Sequence, residues 1–461
     1  MTPPIPGTFD PATVPPRRLW MNRGPHLSPE GYRPVAVFDP GLPPGVAFLR
    51  SLGRAGVPVI AFSDRRRDGG RFSFHASGVR SCPSPARSDE FTGWLTDEFQ
   101  RGSIDLVAPT SDNVSFAVGE ALARLGRKSA DAGHAPFEAV RTSLFKGRFA
   151  EAMEEVGFPT PPSAMPVTLA EARAAAAELG YPLMLKPRSH VGIGTMRGAV
   201  VRSDDELGRG FVPYSINAGS SSALRHVPEL PWPILQRYFA LGSVDVISLC
   251  GCFDDDGKVV ALACARKVTQ APRRFGVGTM FEPVPEPAFT SAAIDAVRSV
   301  LVTGLFELEV LVDRKSGEHW AIDLNPRGFG QMSLDIARGN DLPRIWYQTV
   351  TGIRLPVAAP RAHPPQYWHD AVASYVGFVV RCVRGPERRR IIEHAVGRAK
   401  ASKVGAAFEW RDPLPGILFG LAHLRHPRAL IRPFVRDVEL GPDAFANASV
   451  HPEDAEDPII W

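Results

Sequence analysis

The chain has 461 residues, too many for one ordinary hydrophobic core, and that length favours two or three domains. It is 44% hydrophobic and 22% charged, a composition that supports burial without disulfide staples. A net charge of +4 over this length gives no basis for nucleic-acid binding.

Residues 2–16 are proline-rich and lack an apolar signal core, so residues 1–33 read as a flexible leader. From Pro34 to about Ala135 short apolar runs alternate with helical spacing. Pro34-Val35-Ala36-Val37-Phe38-Asp39 and Val57-Pro58-Val59-Ile60-Ala61-Phe62 are strands, Asp105-Leu106-Val107-Ala108-Pro109 is a later one, and residues 46–52 and 114–125 are helices. This order predicts a parallel sheet. The first turn, Asp39-Pro40-Gly41-Leu42-Pro43-Pro44-Gly45, lacks G-x-G-x-x-G, and its prolines remove amide donors. The domain is therefore Rossmann-like in shape, without a nicotinamide cofactor.

Residues 143–156 read as one amphipathic helix with Phe145, Phe149, Met153 and Val156 along its apolar stripe. Lys146 lies in its first turn, where a cation opposes the helix dipole; a nearby anion or plain solvation would each account for it. A helix over 169–179 leads into the strand Tyr181-Pro182-Leu183-Met184-Leu185-Lys186-Pro187, which puts Lys186 on the face of Met184. The loop at 189–194, with Ser189, Gly192 and Gly194, follows, then a return strand near Ala199. A lysine entering a glycine-rich loop suits phosphate, though a simple hairpin also explains the glycines.

Pro233-Ile234-Leu235-Gln236-Arg237-Tyr238-Phe239 is the next strand, followed by Gly242-Ser243-Val244-Asp245-Val246-Ile247-Ser248. Asp254-Asp255-Asp256-Gly257 reads as a solvated turn. Arg266, Lys267, Arg273 and Arg274 cluster near glycines, as an anion site or an exposed loop. A helix over 290–304 precedes a hairpin, residues 306–313 and 319–324 about a turn at Ser316. That symmetry sets Glu309 opposite Asp323, with Asn325 on the same face. Facing carboxylates repel, and a hard divalent cation removes the penalty; a solvated hairpin is the plain alternative. Beyond about Pro360 the chain reads as a helical appendage, with Arg388-Arg389-Arg390 before one helix and a short apolar stretch at 414–424 interrupted by glycine; a membrane-surface or partner-binding face on this appendage is the minor alternative.

The five cysteines (Cys82, Cys250, Cys252, Cys264 and Cys382) form no C-x-x-C pair, so reduced buried thiols in a cytoplasmic protein are expected. No apolar run approaches the ~18 residues that span a bilayer.

Taken in order, Lys146, Lys186 with its glycine loop, Gln236 to Phe239, Asp245, Glu309 and Asp323-x-Asn325-x-Arg327 resemble an ATP-grasp enzyme of the carboxylate–amine ligase-like branch. The resemblance implies a Rossmann-like pre-ATP-grasp domain (34–135), ATP-grasp subdomains A (136–235) and B (236–360), and a helical extension (361–461). It implies that Lys146 and Lys186 hold ATP phosphates, that the loop with Ser189, Gly192 and Gly194 covers them, and that Gln236, Arg237, Tyr238 and Phe239 meet adenine. Asp245 matches the ribose acid. Glu309, Asp323 and Asn325 match ligands of Mg²⁺ (or Mn²⁺), while Arg327, Arg266 and Lys267 match cations that neutralise the transferred phosphoryl group. Two departures stand out: Gln236 occupies a position often acidic, and Asp323 one where Glu is usual. The implied reaction joins a small-molecule carboxylate to an amine through an acylphosphate, with ADP released. The implied partners are those two substrates, with a homodimer as the macromolecular partner compatible with the family. An ATP-grasp carboxylase or ribotide enzyme, or a nucleotide-binding regulator without turnover, is the alternative.

Overall fold

The structure, a computed structural model, describes residues 31–193, 198–217, 219–240, 242–271, 276–356, 363–375 and 402–425. Gly194, Arg273, Arg274, Cys382, the Arg388–Arg390 run with its following helix, and most of the expected leader lie outside the described residues.

Strands β1 (Val35–Val37), β2 (Val59–Ser63), β3 (Gly78–Ser81) and β4 (Leu106–Val107) form a parallel sheet in the order β3-β2-β1-β4. Alternation sorts its side chains. Val35 and Val37 face Phe48, Leu49 and Leu52 of the Pro43–Arg54 helix, whereas Ala36 and Phe38 face Phe91, Leu95 and Val114. The succession of strands runs outward from β1 to β3 and then resumes on the other side of β1 with β4, so the loops after the parallel neighbours β1 and β4 meet there. Ser111 caps the Asp112–Arg124 helix and donates to Asp39 Oδ2 at 2.8 Å. Asp39 takes a positive φ of 48°, and burial pushes its carboxyl up to about 6.

A second, antiparallel sheet runs β5-β8-β6-β7, from β5 (Ser163–Ala164), β6 (Leu183–Lys186), β7 (Ala199–Val201) and β8 (Ile234–Arg237). The Leu169–Leu179 helix buries Ala172 and Ala176 against Leu183, Leu185 and Leu235. The third sheet has seven strands. Its order is β13-β12-β9-β10-β11-β14-β15, from β9 (Val244–Phe253), β10 (Val259–Ala271), β11 (Val277–Pro283), β12 (Gly304–Asp313), β13 (His319–Asn325), β14 (Tyr367–His369) and β15 (Lys403–Gly405). One face packs Leu249, Leu308 and Val310 on the Thr290–Val300 helix. The other carries Cys250, Cys252 and Leu305 into one core with Phe48 and Trp346, so the Pro43–Arg54 helix packs on this sheet. Cys82, Cys250, Cys252 and Cys264 are free and buried.

Two expectations need correction. The single helix over 143–156 is two helices, Phe137–Leu144 and Lys146–Glu155, broken at Phe145 (φ −103°, ψ 109°). The cause is tertiary: Lys146 N–H bonds the Arg188 carbonyl at 2.9 Å instead of an intrahelical one. Phe145, Phe149 and Met153 are buried as expected, but Val156 is exposed. The C-terminal region is also not purely helical. Alongside the Pro413–Arg425 helix it supplies β14 and β15, which continue the large sheet. Among the described residues no helix is long and apolar enough to cross a membrane.

Candidate active site

The hairpin register sets Glu309 opposite Asp323 and Glu307 opposite Asn325. Glu307 was not singled out by sequence, although it precedes Glu309 by two residues and so shares its face. Each facing acid holds a lysine from another element. Lys146 Nζ lies 2.8 Å from Asp323 Oδ1, and Lys267 Nζ lies 2.5 Å from Glu309 Oε1. Burial opposes the charge on Lys267, but Glu309 outweighs it and raises the ammonium. Burial likewise opposes ionisation of Asp323, and Lys146 and His190 overcome it and hold the carboxyl low.

Lys186 differs from both. Among the described residues no acid comes within ion-pair distance of it. Burial, and then the charge of Lys146, lower its ammonium to about 7. It lines a cleft with Lys146, Met165, Ile234, Gln236 and Ile322, between the four-stranded and seven-stranded sheets. Gln236 donates to Ser163 Oγ at 2.8 Å, while its buried Oε1 has no hydrogen-bond partner.

Asn325 donates to Glu307 Oε2 (3.1 Å) and accepts from Arg327 Nη2 (3.1 Å). Gln331 Nε2 donates to the other Glu307 oxygen at 2.7 Å. Burial and the nearby Glu309 push the Glu307 carboxyl up. Arg327 also reaches out of the sheet, its Nε 2.5 Å from Asp112 Oδ1, and His190 Nδ1 sits 3.4 Å from Asp112 Oδ2. Burial opposes the Asp112 charge, yet Arg327 and His190 hold its carboxyl well below the usual range. The pairing of Asp112 with Arg327 and His190 is made by the fold, since these residues are distant in the chain.

Not every candidate joins this cluster. Arg266 and Lys267 are adjacent on β10 and point to opposite faces. Arg266 pairs with Glu282 and, at 3.7 Å, with Asp245, and Asp245 is held by Arg314 at 2.7 Å. Asp245 and Arg266 therefore sit on the face away from Glu309. Arg237 is exposed and lies 5.5 Å over the Phe239 ring, which packs against Trp320 at 4.6 Å. Tyr238 N–H bonds the Pro182 carbonyl at 3.4 Å. Ser189 is buried and accepts from Val191 N–H, and Gly192 has a φ of 77° that favours glycine.

For a divalent cation, Glu309, Asp323 and Asn325 offer two carboxylates and an amide oxygen, the donor set Mg²⁺ takes alongside phosphate oxygens. The residues present fit such an ion, with each acid now balanced by a lysine. Among the described residues no preformed cage of three His, Cys, Asp or Glu side chains exists.

Residues 146–225 match the family model of the carbamoyl-phosphate synthase L chain, ATP binding domain. The carbamoyl phosphate synthase large chain of Hyperthermus butylicus is 25% identical over 229 residues, 48% of this chain and 20% of that one. That of Pyrococcus furiosus is 26% identical over 200 residues, covering 42% and 17%. The chain thus matches about a fifth of the length of these curated relatives. Among solved structures, the biotin carboxylase domain of Hydrogenobacter thermophilus 2-oxoglutarate carboxylase, crystallised with MgADP, ADP and bicarbonate, superposes with a TM-score of 0.55 at 16% identity, covering 71% of each chain. The L-amino acid ligase of Bacillus licheniformis gives 0.52 at 16% identity over 69% of this chain and 74% of that one. The ordered lysines and facing acids thus stand in a chain that is similar, over residues 146–225, to the ATP binding domain of the carbamoyl-phosphate synthase L chain.

Proposed function

We propose that the protein is an ATP- and Mg²⁺-dependent ligase that activates a carboxylate as its acylphosphate and joins it to an amine, releasing ADP and phosphate. One observation carries the reading: among the described residues Lys186 has no ion-pair partner, and it shares a cleft with Lys146, whose ammonium holds Asp323. An uncompensated lysine there calls for an anionic ligand, and triphosphate supplies it.

In this reading Lys146 and Lys186 bind the phosphates, and the loop that begins at Ser189 and Gly192 closes over them. Gln236 Oε1, orphaned in the cleft, accepts from the adenine amino group. Tyr238 and Phe239 complete the adenine end. Glu309, Asp323 and Asn325 would hold one or two divalent ions, whose chemistry is charge neutralisation across the terminal phosphates. Lys267 and Arg327 offset charge as the γ-phosphoryl moves to the substrate carboxylate. The amine then attacks the acyl carbon and phosphate leaves. Loop closure protects the acylphosphate from water. Substrate contacts fall to the loops around Asp39 and Ser111, which open beside Arg327.

The test is an ADP-release screen of carboxylic acids against pooled amines, with mass detection of the ligated product. ADP formation that needs both an acid and an amine supports the reading. Release with bicarbonate and no amine would replace it with a carboxylase. ATP binding with no turnover across the panel would replace it with a regulatory module.

A further inference from the structure

A second surface shares no residue with the lysine cleft. The Pro413–Arg425 helix seats Pro415 on the turn at Gly69, where a side chain on Gly69 would approach Pro415 to 2.7 Å. Asp412, just before that helix, accepts from Phe74 N–H (2.9 Å) and Ser73 Oγ (2.8 Å). Two segments distant in sequence are thereby fused into one corner, and both turn large apolar groups outward. Phe72 and Phe74 are 43% and 50% exposed, and Trp410, edge-on to Phe408, is 86% exposed. Leu414, Ile417 and Leu421 follow at helical spacing and are exposed on one face of the helix. A contiguous apolar patch of this kind marks an interaction site.

Charge indicates what covers it. The acids of this corner are engaged: Asp412 is buried on Arg50 (2.9 Å), Glu409 holds Arg54 (2.6 Å), and Asp68 accepts from Ser63. Asp64 lies 3.7 Å from Arg65. Arg66, Arg67 and Arg411 are exposed and, among the described residues, have no ion pair. The sequence from Pro413 to Arg436 contains no Asp or Glu and four arginines. Aromatic and aliphatic side chains beside unpaired arginines are what a protein places against an anionic bilayer, rings at the headgroup level and guanidinium groups on phosphate.

We propose that this corner, formed by Phe72, Phe74, Trp410 and the Leu414–Ile417–Leu421 face with Arg66 and Arg67, docks the protein on anionic lipid. The proposed association is peripheral, no helix among the described residues being long and apolar enough to cross a membrane, and it is independent of the ligase reading.

The experiment is co-sedimentation of the full chain with phosphatidylcholine vesicles, with and without phosphatidylglycerol. Binding is expected only with phosphatidylglycerol, and added salt should weaken it. R66E/R67E is expected to weaken binding at least about tenfold, and I417E to abolish it, with unchanged thermal melts as the folding control. No sedimentation with phosphatidylglycerol at low salt overturns the proposal, as does equal binding by wild type and both variants. A solution dimer that I417E dissociates overturns it in favour of a self-interface.

Discussion

Arg327 Nε lies 2.5 Å from Asp112 Oδ1 and ties the acidic end of the large-sheet hairpin to the first turn of the Asp112–Arg124 helix. Both side chains are mostly buried, at 17% and 10% exposure, so neither can lose its partner cheaply. Asp112→Ala should cost about 3 kcal/mol of stability by leaving a buried guanidinium uncompensated. It should also lower turnover, because Arg327 would no longer be aimed. Chemical denaturation and ADP release on the same sample check both effects. Loss of stability with full turnover would show that Arg327 needs no such aim.

Lys146→Met and Lys186→Met each remove a cation from the cleft. Each should weaken ATP by about 2 kcal/mol, roughly thirtyfold. The stability effects should differ. Lys146→Met strips Asp323 of its partner, whereas Lys186→Met removes a charge that the apo fold disfavours and should leave melting unchanged or raised. Calorimetric titration with ATP and thermal melts separate the two.

The Lys186 ammonium is lowered to about 7 from the ordinary 10.5. Between those values the unfolded chain holds a proton that the fold lacks, so apo stability rises with pH through that window. Phosphate binding restores the charge. ATP binding near pH 8 should therefore take up a proton, and affinity should fall as pH rises above 7. Titrations in buffers of different ionisation enthalpy measure the uptake, which Lys186→Met should erase.

Glu309→Ala should abolish Mg²⁺-dependent ADP release and also lower apo stability by about 3 kcal/mol, since Lys267 is left buried without a partner. The double variant with Lys267→Met should recover most of the stability and none of the activity. Turnover by Glu309→Ala at wild-type Mg²⁺ concentrations would remove Glu309 from the metal site.

Much of this arrangement was legible in the chain. The Glu309–Asp323 register follows from strand alternation about a turn, and the parallel first sheet follows from its strand–helix alternation. Lys146 at a helix start was readable, but the break at Phe145 was not, because a carbonyl 42 residues away from the Lys146 amide causes it. Asp112 and Arg327 are 215 residues apart, and nothing local announces their pairing. Arg266 and Lys267 looked equivalent as neighbouring cations, and only the sheet showed that they face opposite ways. β14 and β15 are three residues each, too short for alternation to register.

Those two short strands bear on how the protein can be trimmed. β14 pairs with Met280 and Phe281 of β11, and Trp368 lies edge-on to the Phe281 ring at 5.6 Å. A protein ending at residue 360 would keep every lysine and acid of the cleft, yet leave the outer backbone of β11 without a neighbour. An uncovered edge of that kind recruits strands from other molecules. Such a shortened chain should form soluble aggregates visible by light scattering, and what resembles a dispensable tail would act as the guard of an open sheet.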